Sequence, residues 1–170
     1  RRLDITEDIY FDIIRRKTAS LIAACCACGT AAAGGDDDTV ERMRTFGELV
    51  GLAFQIKDDL LDLGEGERTG KPTGVDIRER KMTLPLIHTL NQASAKERRR
   101  LINLVKRHHN KPAAVAEVMR AIIEGPGMVY AQEKMTALRN QAVDLLKDVP
   151  SNEAKEALIG LVDYTIERKK

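Results

Sequence analysis

At 170 residues the chain has about the length of one domain, enough to bury a sizeable core. Charged residues make up 32%, hydrophobic ones 43% and aromatics 4%, a balance rich in helix formers that favours an all-α protein over a sheet. A net charge of +2 is too near neutral to argue for nucleic acid, and no Trp with three Phe provides no base-stacking platform.

Thr6 is placed to cap a first helix, with Glu7 and Asp8 in its first turn. Ile9, Ile13, Ile14, Leu21 and Ile22 give that helix an apolar face, and it is expected to run to about Gly29. Cys25, Cys26 and Cys28 lie in its alanine-rich part. Cysteines this close on a helix are poor disulfide partners, and alanine neighbours supply no further metal ligands. They are expected to be small buried thiols of a reducing compartment, which makes the cytoplasm the expected location. The apolar run over residues 21–33 is too short to cross a bilayer, and no signal peptide is visible. The chain opens on Arg1 directly into a helical pattern, which suggests a piece of a longer protein.

A loop over residues 34–38 follows, and Asp38 with Glu41 reads as a capping box for the next helix. That helix is expected to end near Leu63. Its second half is apolar nearly all round, so it should be buried. Gly64, Gly66, Gly70, Pro72 and Gly74 then mark a loop of functional length. A further helix starts near Leu84, with Pro85 tolerated in its first turn. Ser94 and Glu97 form another capping box, opening a helix to about Arg107. Later helices are expected over residues 113–124, 128–147 and 151–168, with prolines at the joints. No strand, repeat or dividing linker is visible, so residues 1–170 read as a single helical domain.

Asp58, Asp59 and Asp62 interrupt the most apolar stretch of the chain. Residues four apart share a helix face, so Asp58 and Asp62 point together, with Asp59 about 100° round. Burying unpaired charge is costly, so something positive is expected beside them. Several carboxylates with few His suit Mg²⁺ better than Zn²⁺. Lys17, Lys71 and Lys81 are basic residues placed on the first helix and in and after the glycine-rich loop. Lysines together with a metal suit a diphosphate.

These residues resemble the trans-prenyltransferases, the polyprenyl diphosphate synthases. The segment Phe54-Gln-Ile-Lys-Asp-Asp-Leu-Leu-Asp is similar to that family's second aspartate-rich motif. Gly70-Lys-Pro-Thr-Gly-Val-Asp, with the Lys-Met-Thr-Leu-Pro-Leu run that follows, is similar to the next segment. Tyr10-Phe-Asp-Ile-Ile-Arg-Arg-Lys-Thr is similar to the upstream helix bearing a Lys-Thr pair. The resemblance implies an all-α helical bundle, the C-terminal half of the isoprenoid synthase fold. It implies a Mg²⁺-dependent condensation of isopentenyl diphosphate with an allylic diphosphate. Asp58 and Asp62 would bind the metal, with Asp59 supporting it. Lys17 and Lys71 would hold diphosphate oxygens, helped by Lys81. Gln55 and the Thr18 carbonyl would face the developing allylic cation, and Asp76 would anchor the loop.

The family's first Asp-rich motif and its upstream Gly-Gly-Lys-Arg segment are absent. The acids at Asp37, Asp38 and Glu41 are explained by capping. The piece is therefore expected to be inactive alone, and apolar surface left uncovered is expected to drive homo-oligomerisation. A non-catalytic subunit of a heteromeric synthase is the alternative, disfavoured because the Asp58–Asp62 motif is intact. A terpene cyclase is disfavoured because its Asn/Ser/Glu metal pattern is missing. The wording around Lys71 and Leu84 resembles medium- or long-chain bacterial synthases, but product length is not legible. The closing segment Ile166-Glu-Arg-Lys-Lys resembles a basic tail that closes over substrate in some members, or its cations complement a helix C-terminus. His108 and His109 read as solvated.

Overall fold

Several helices begin where a side chain is placed to accept an unpaired amide. A computed structural model describes residues 4–64 and 73–168, and every regular element among them is helical. α1 (Glu7–Ile14) follows Thr6, whose Oγ1 accepts the Ile9 amide at 3.4 Å. It does not pass smoothly into α2 (Ser20–Ala32), because Arg15–Ala19 form a π-helical turn. The buried positions supply the reason. They fall at Tyr10, Ile14, Ala19, Ala23 and Ala27, steps of four with one step of five across the π turn. An unbroken α-helix would carry the later alanines about 100° off that line, and the wider turn absorbs the extra residue. Because the inward face belongs to alanine, Cys25 and Cys28 are exposed and Cys26 is only half-buried. The expectation of three buried thiols is corrected accordingly.

α3 (Asp37–Leu63) is the longest helix. Its cap is Asp36 rather than Asp38. Asp36 Oδ1 accepts the Thr39 amide at 2.8 Å, and the Asp36 carbonyl accepts the Val40 amide at 2.9 Å. The bond from Thr39 holds the Asp36 carboxyl below its ordinary range. In the second half of α3, Leu52, Ala53, Gln55, Ile56, Leu60 and Leu63 are buried, as the apolar pattern requires. A short helix, α4 (Val75–Arg78), was not expected. α5 (Leu84–Gln92) carries Pro85 in its first turn, and α6 (Ala95–Arg107) is capped by Ser94 Oγ on the Glu97 amide at 3.3 Å. α7 (Pro112–Ile123), α8 (Gly127–Asp144) and α9 (Glu153–Glu167) complete the order. α8 stops short of the expected residue 147, where the chain enters a turn, and Asn152 caps α9 by accepting the Lys155 amide at 2.9 Å.

The chain groups into two compact units, to both of which α1, α3 and α8 contribute. The first holds the residues to Tyr10 with Asp58–Gln132. In it α6 packs on α7 and α5 packs on both, burying Leu84, Leu86, Ile87, Leu101, Val105, Val118 and Ile122. Glu7 accepts the Tyr130 hydroxyl at 2.7 Å, and the His88 ring stacks on Tyr130 at 3.7 Å. Gly74 has a left-handed φ of 70°, and a Cβ there would lie 2.7 Å from Val115 Cγ1, so both backbone and space demand glycine.

The second unit holds Phe11–Lys57 with Glu133–Arg168. Its core is Phe46, Val50, Ala142, Leu146 and Val162, with Met43, Leu49, Leu158 and Ile159 against it. Here the π turn and α2 lie directly on α3. A Cβ on Gly51 would stand 2.5 Å from Ala19 Cα, and one on Gly47 would stand 2.7 Å from the Ile22 carbonyl oxygen. Two glycines one turn apart thus let the backbone carrying Lys17 and Thr18 press against the helix carrying Gln55.

Candidate functional site

Helices α4 and α5 share a defect. α4 is preceded by Gly74 and α5 by Thr83, and neither residue's side chain accepts an amide at its helix start. The missing acceptors come from α3. Asp62 Oδ1 accepts the Val75 amide at 3.0 Å, its Oδ2 accepts the Asp76 amide at 3.1 Å, and its carbonyl accepts the Gly74 amide at 3.0 Å. The Leu84 backbone amide, at the first position of α5, in turn draws the Asp59 carboxyl downward. Of two aspartates three apart on α3, Asp62 therefore caps α4, and Asp59 is biased by the start of α5. The carboxylates also complement the positive ends of both helices.

Asp59 has a second donor, the Tyr10 hydroxyl, 2.7 Å from its Oδ2. Burial pushes the Asp59 carboxyl up to about 7, and the charges of Asp76 and Asp58 add to this, while the Tyr10 and Leu84 hydrogen bonds oppose it. Burial, reinforced by Asp59, pushes the Tyr10 phenol far above its ordinary range, so it remains a donor. Burial likewise raises Asp62, against the pull of the Asp76 and Val75 amides and of Lys81. Asp58 is only partly covered.

Beyond Asp76, further bonds tie the segment between α4 and α5 together. Asp76 Oδ1 accepts the Lys81 Nζ at 2.8 Å, and Glu79 pairs with the same ammonium at 2.8 Å. Their hydrogen bonds push the Lys81 ammonium above the usual lysine range. Arg80 sits between them with a left-handed φ of 56°, an uncommon conformation for a residue with a side chain. The Lys81 amide closes the turn on the Asp76 carbonyl at 2.8 Å.

The sequence-derived site residues thus fall into three sets. Asp58, Asp59, Asp62 and Lys81 belong to the first unit, where Asp62 and Asp76 link the acidic helix to Lys81. Lys17, Thr18 and Gln55 belong to the second unit. There Lys17 is exposed on the π turn, Thr18 is half-buried and Gln55 is 6% exposed. Lys71 lies outside the described residues. Among the described residues no three His, Cys, Asp or Glu side chains converge to hold an ion by themselves, so the aspartates do not form a self-contained cage. The residue that sequence reasoning passed over is Tyr10, which fixes Asp59. Arg168, of the closing segment, has its guanidinium 4.2 Å from the Phe54 ring centroid. Tyr10 stands in the segment that carries the Lys-Thr pair; its signal was a phenol on a buried helix face.

The Tyr10 bond makes a pH-dependent prediction. Asp59 is raised in the folded state, so its own contribution to stability is present below the ordinary carboxylate range and is lost as pH rises through about 7. Tyr10 limits that loss by favouring the carboxylate. Tyr10→Phe is expected to cost about 1–2 kcal/mol in urea unfolding at pH 8, and distinctly less at pH 5, where Asp59 is neutral. An equal cost at both pH values would rule out Asp59 as the partner that matters.

An all-α chain whose longest helix carries Asp-Asp-x-x-Asp and clamps the segment returning from it has the isoprenoid synthase fold. It belongs to the polyprenyl synthetase family, whose model matches residues 1–122. Over 169 residues it is 37% identical to a short chain isoprenyl diphosphate synthase of Methanothermobacter thermautotrophicus, covering 99% of this chain and 51% of that protein. It is 36% identical over 163 residues to a nonaprenyl diphosphate synthase of Mycobacterium tuberculosis, covering 94% and 48%. A polyprenyl synthase of Caulobacter crescentus, solved with calcium and isoprenyl diphosphate, superposes with a TM-score of 0.90 at 32% identity, covering 99% of this chain and 52% of that one. The chain spans about half the length of these relatives.

Proposed function

We propose that this chain is the C-terminal part of a Mg²⁺-dependent prenyltransferase that condenses isopentenyl diphosphate with an allylic diphosphate. The observation that carries the reading is the clamped acidic segment, in which Asp62 ties α3 to Asp76 and Asp76 ties down Lys81. The calcium and isoprenyl diphosphate bound by the Caulobacter relative support it. The donors present are carboxylate oxygens, which suit a hard cation. Asp58 is partly exposed. Each Asp62 oxygen accepts one amide and keeps further lone-pair capacity. One or two carboxylates are what Mg²⁺ takes when waters and phosphate complete its shell, and Asp59 supports the set from behind.

When bound, Mg²⁺ would neutralise the leaving diphosphate and ease ionisation of the allylic carbon–oxygen bond. Lys17 and Lys71 would hold diphosphate oxygens as point charges, and Lys81 would back them through Asp76. The Thr18 carbonyl and the Gln55 side-chain oxygen would face the developing cation. The apolar flank of α3 would keep water from it until isopentenyl diphosphate attacks. The chain alone lacks the first Asp-rich motif, so by itself it would not elongate prenyl chains. Exposed Ile13 and Leu21, the latter 68% accessible, offer apolar surface for self-association. No described helix is long and apolar enough to cross a membrane.

Calorimetry of the purified chain with an isoprenyl diphosphate tests the reading. Binding is expected to require Mg²⁺ and to weaken about tenfold or more in Asp58→Asn and in Lys17→Ala. Binding indifferent to chelation and to both substitutions would defeat it.

A further inference from the structure

Residues 94–111 carry seven Lys or Arg against one Glu in a chain whose net charge is +2, so the rest of the protein is net acidic. Most of this charge sits on α6. At about 100° per residue, Lys106, Arg99, Lys96, Arg107 and Arg100 fall within an arc of about 120°. Buried Leu101 and Val105 lie on the opposite side of the helix. Arg100 is neutralised by Glu97 and Glu117. Lys96, Arg99, Lys106 and Arg107 are exposed and have no acidic partner among the described residues. The face continues past the helix end to exposed Lys111, and to exposed Arg78, whose carbonyl lies 2.7 Å from His109 Nδ1. The four uncompensated cations of this face repel each other, while Ser94 and the apolar side hold the helix in place. Water and counterions screen that repulsion, and an anionic surface from outside relieves it further.

We propose that the outward face of α6 docks this protein on anionic phospholipid membrane. The apolar side of α6 is already buried in the first unit, so the helix cannot insert; contact is by peripheral, charge-driven adsorption. No Phe, Tyr or Trp lies within residues 94–111, so the face lacks the stacking groups that single-stranded nucleic acid needs. The choice of lipid also rests in part on the reading above: a prenyltransferase product carries an apolar chain that dissolves in a bilayer, and a docked enzyme would release it there.

Each cation near such a surface contributes roughly fivefold in partitioning, so removing four weakens it several hundredfold. The test is co-sedimentation of the purified chain with vesicles, one set of phosphatidylcholine alone and one containing about 30% phosphatidylserine, at about 0.1 M salt. Binding is expected to the phosphatidylserine vesicles only, and to vanish at about 0.5 M salt. It should be lost in the combined Lys96→Gln, Arg99→Gln, Lys106→Gln, Arg107→Gln variant. It should survive in Arg16→Gln, Arg44→Gln, Arg120→Gln, Lys147→Gln, which removes the same charge elsewhere. Should the first variant misfold by circular dichroism, Arg107→Glu alone and the wild-type salt titration decide. Absence of binding, equal binding to neutral vesicles, equal loss in both variants, or displacement from vesicles by trace duplex RNA would each overturn the proposal. No turnover is measured, so failure of the vesicle test leaves the proposed chemistry standing, and failure of that chemistry leaves the vesicle result intact.

Discussion

Asp62→Ala is expected to destabilise the metal-free chain by about 2–4 kcal/mol, measured by urea unfolding in the presence of chelator. The substitution removes both side-chain acceptors of the Val75 and Asp76 amides at once, leaving α4 with no cap. It also releases Asp76, so the Lys81 pair loses its anchor. Asp62→Asn keeps one acceptor and drops a charge that burial already disfavours, so it is expected to retain more than half of the stability. The sign is the informative part. A carboxylate kept only to bind metal is a liability without it, and its removal relieves repulsion from Asp58 and Asp59. If Asp62→Ala were neutral or stabilising without metal, the capping role would be wrong.

Gly51→Val is expected to be the most damaging single change, costing about 4 kcal/mol or more and abolishing the cooperative thermal transition. Even the Cβ of Gly51→Ala would fall 2.5 Å from Ala19 Cα and 2.8 Å from Ala19 Cβ. Ala19 is wholly buried, so the backbones must separate rather than a side chain swing away. Gly160 in α9 is the control, since a Cβ there meets nothing within 4 Å. Gly160→Ala should raise stability by about 0.5–1 kcal/mol through helix propensity alone. Comparable losses in Gly51→Ala and Gly160→Ala would mean that propensity, not close approach, governs Gly51.

What the sequence made legible was local. Ser94 with Glu97, Pro85 in a first turn, and the apolar run before Leu63 each act within a few residues, and each helix stands where they indicate. Features whose cause lies far along the chain were not legible. α4 has four residues and borrows its cap from Asp62, thirteen positions upstream. Among three consecutive aspartates, Asp36 rather than Asp38 caps α3, and composition alone does not choose between acceptors of one kind. The π turn is visible only once the buried positions are known, because an apolar pattern rich in alanine does not show a step of five. The same holds for the candidate site. Charge and spacing identified Asp58, Asp59 and Asp62, but two of them are shared with helix ends, which depends on where those ends arrive in space.

The π turn has a consequence for how this region tolerates change. Ala19 meets Gly51 because the π turn absorbs the one residue by which the stretch from Ile14 to Ala19 exceeds α-helical spacing. Deleting one exposed residue there would make every step four, and a regular helix would keep the later alanines on the glycines. Inserting a further residue has no such remedy: it would swing every later side chain about 100° round the axis and bring larger groups into a contact that admits none. The Arg15–Ala19 segment can therefore shorten by one residue but not lengthen. When related sequences are aligned, a single-residue gap in this stretch should mark relatives whose helix is regular here, and insertions should be missing from it.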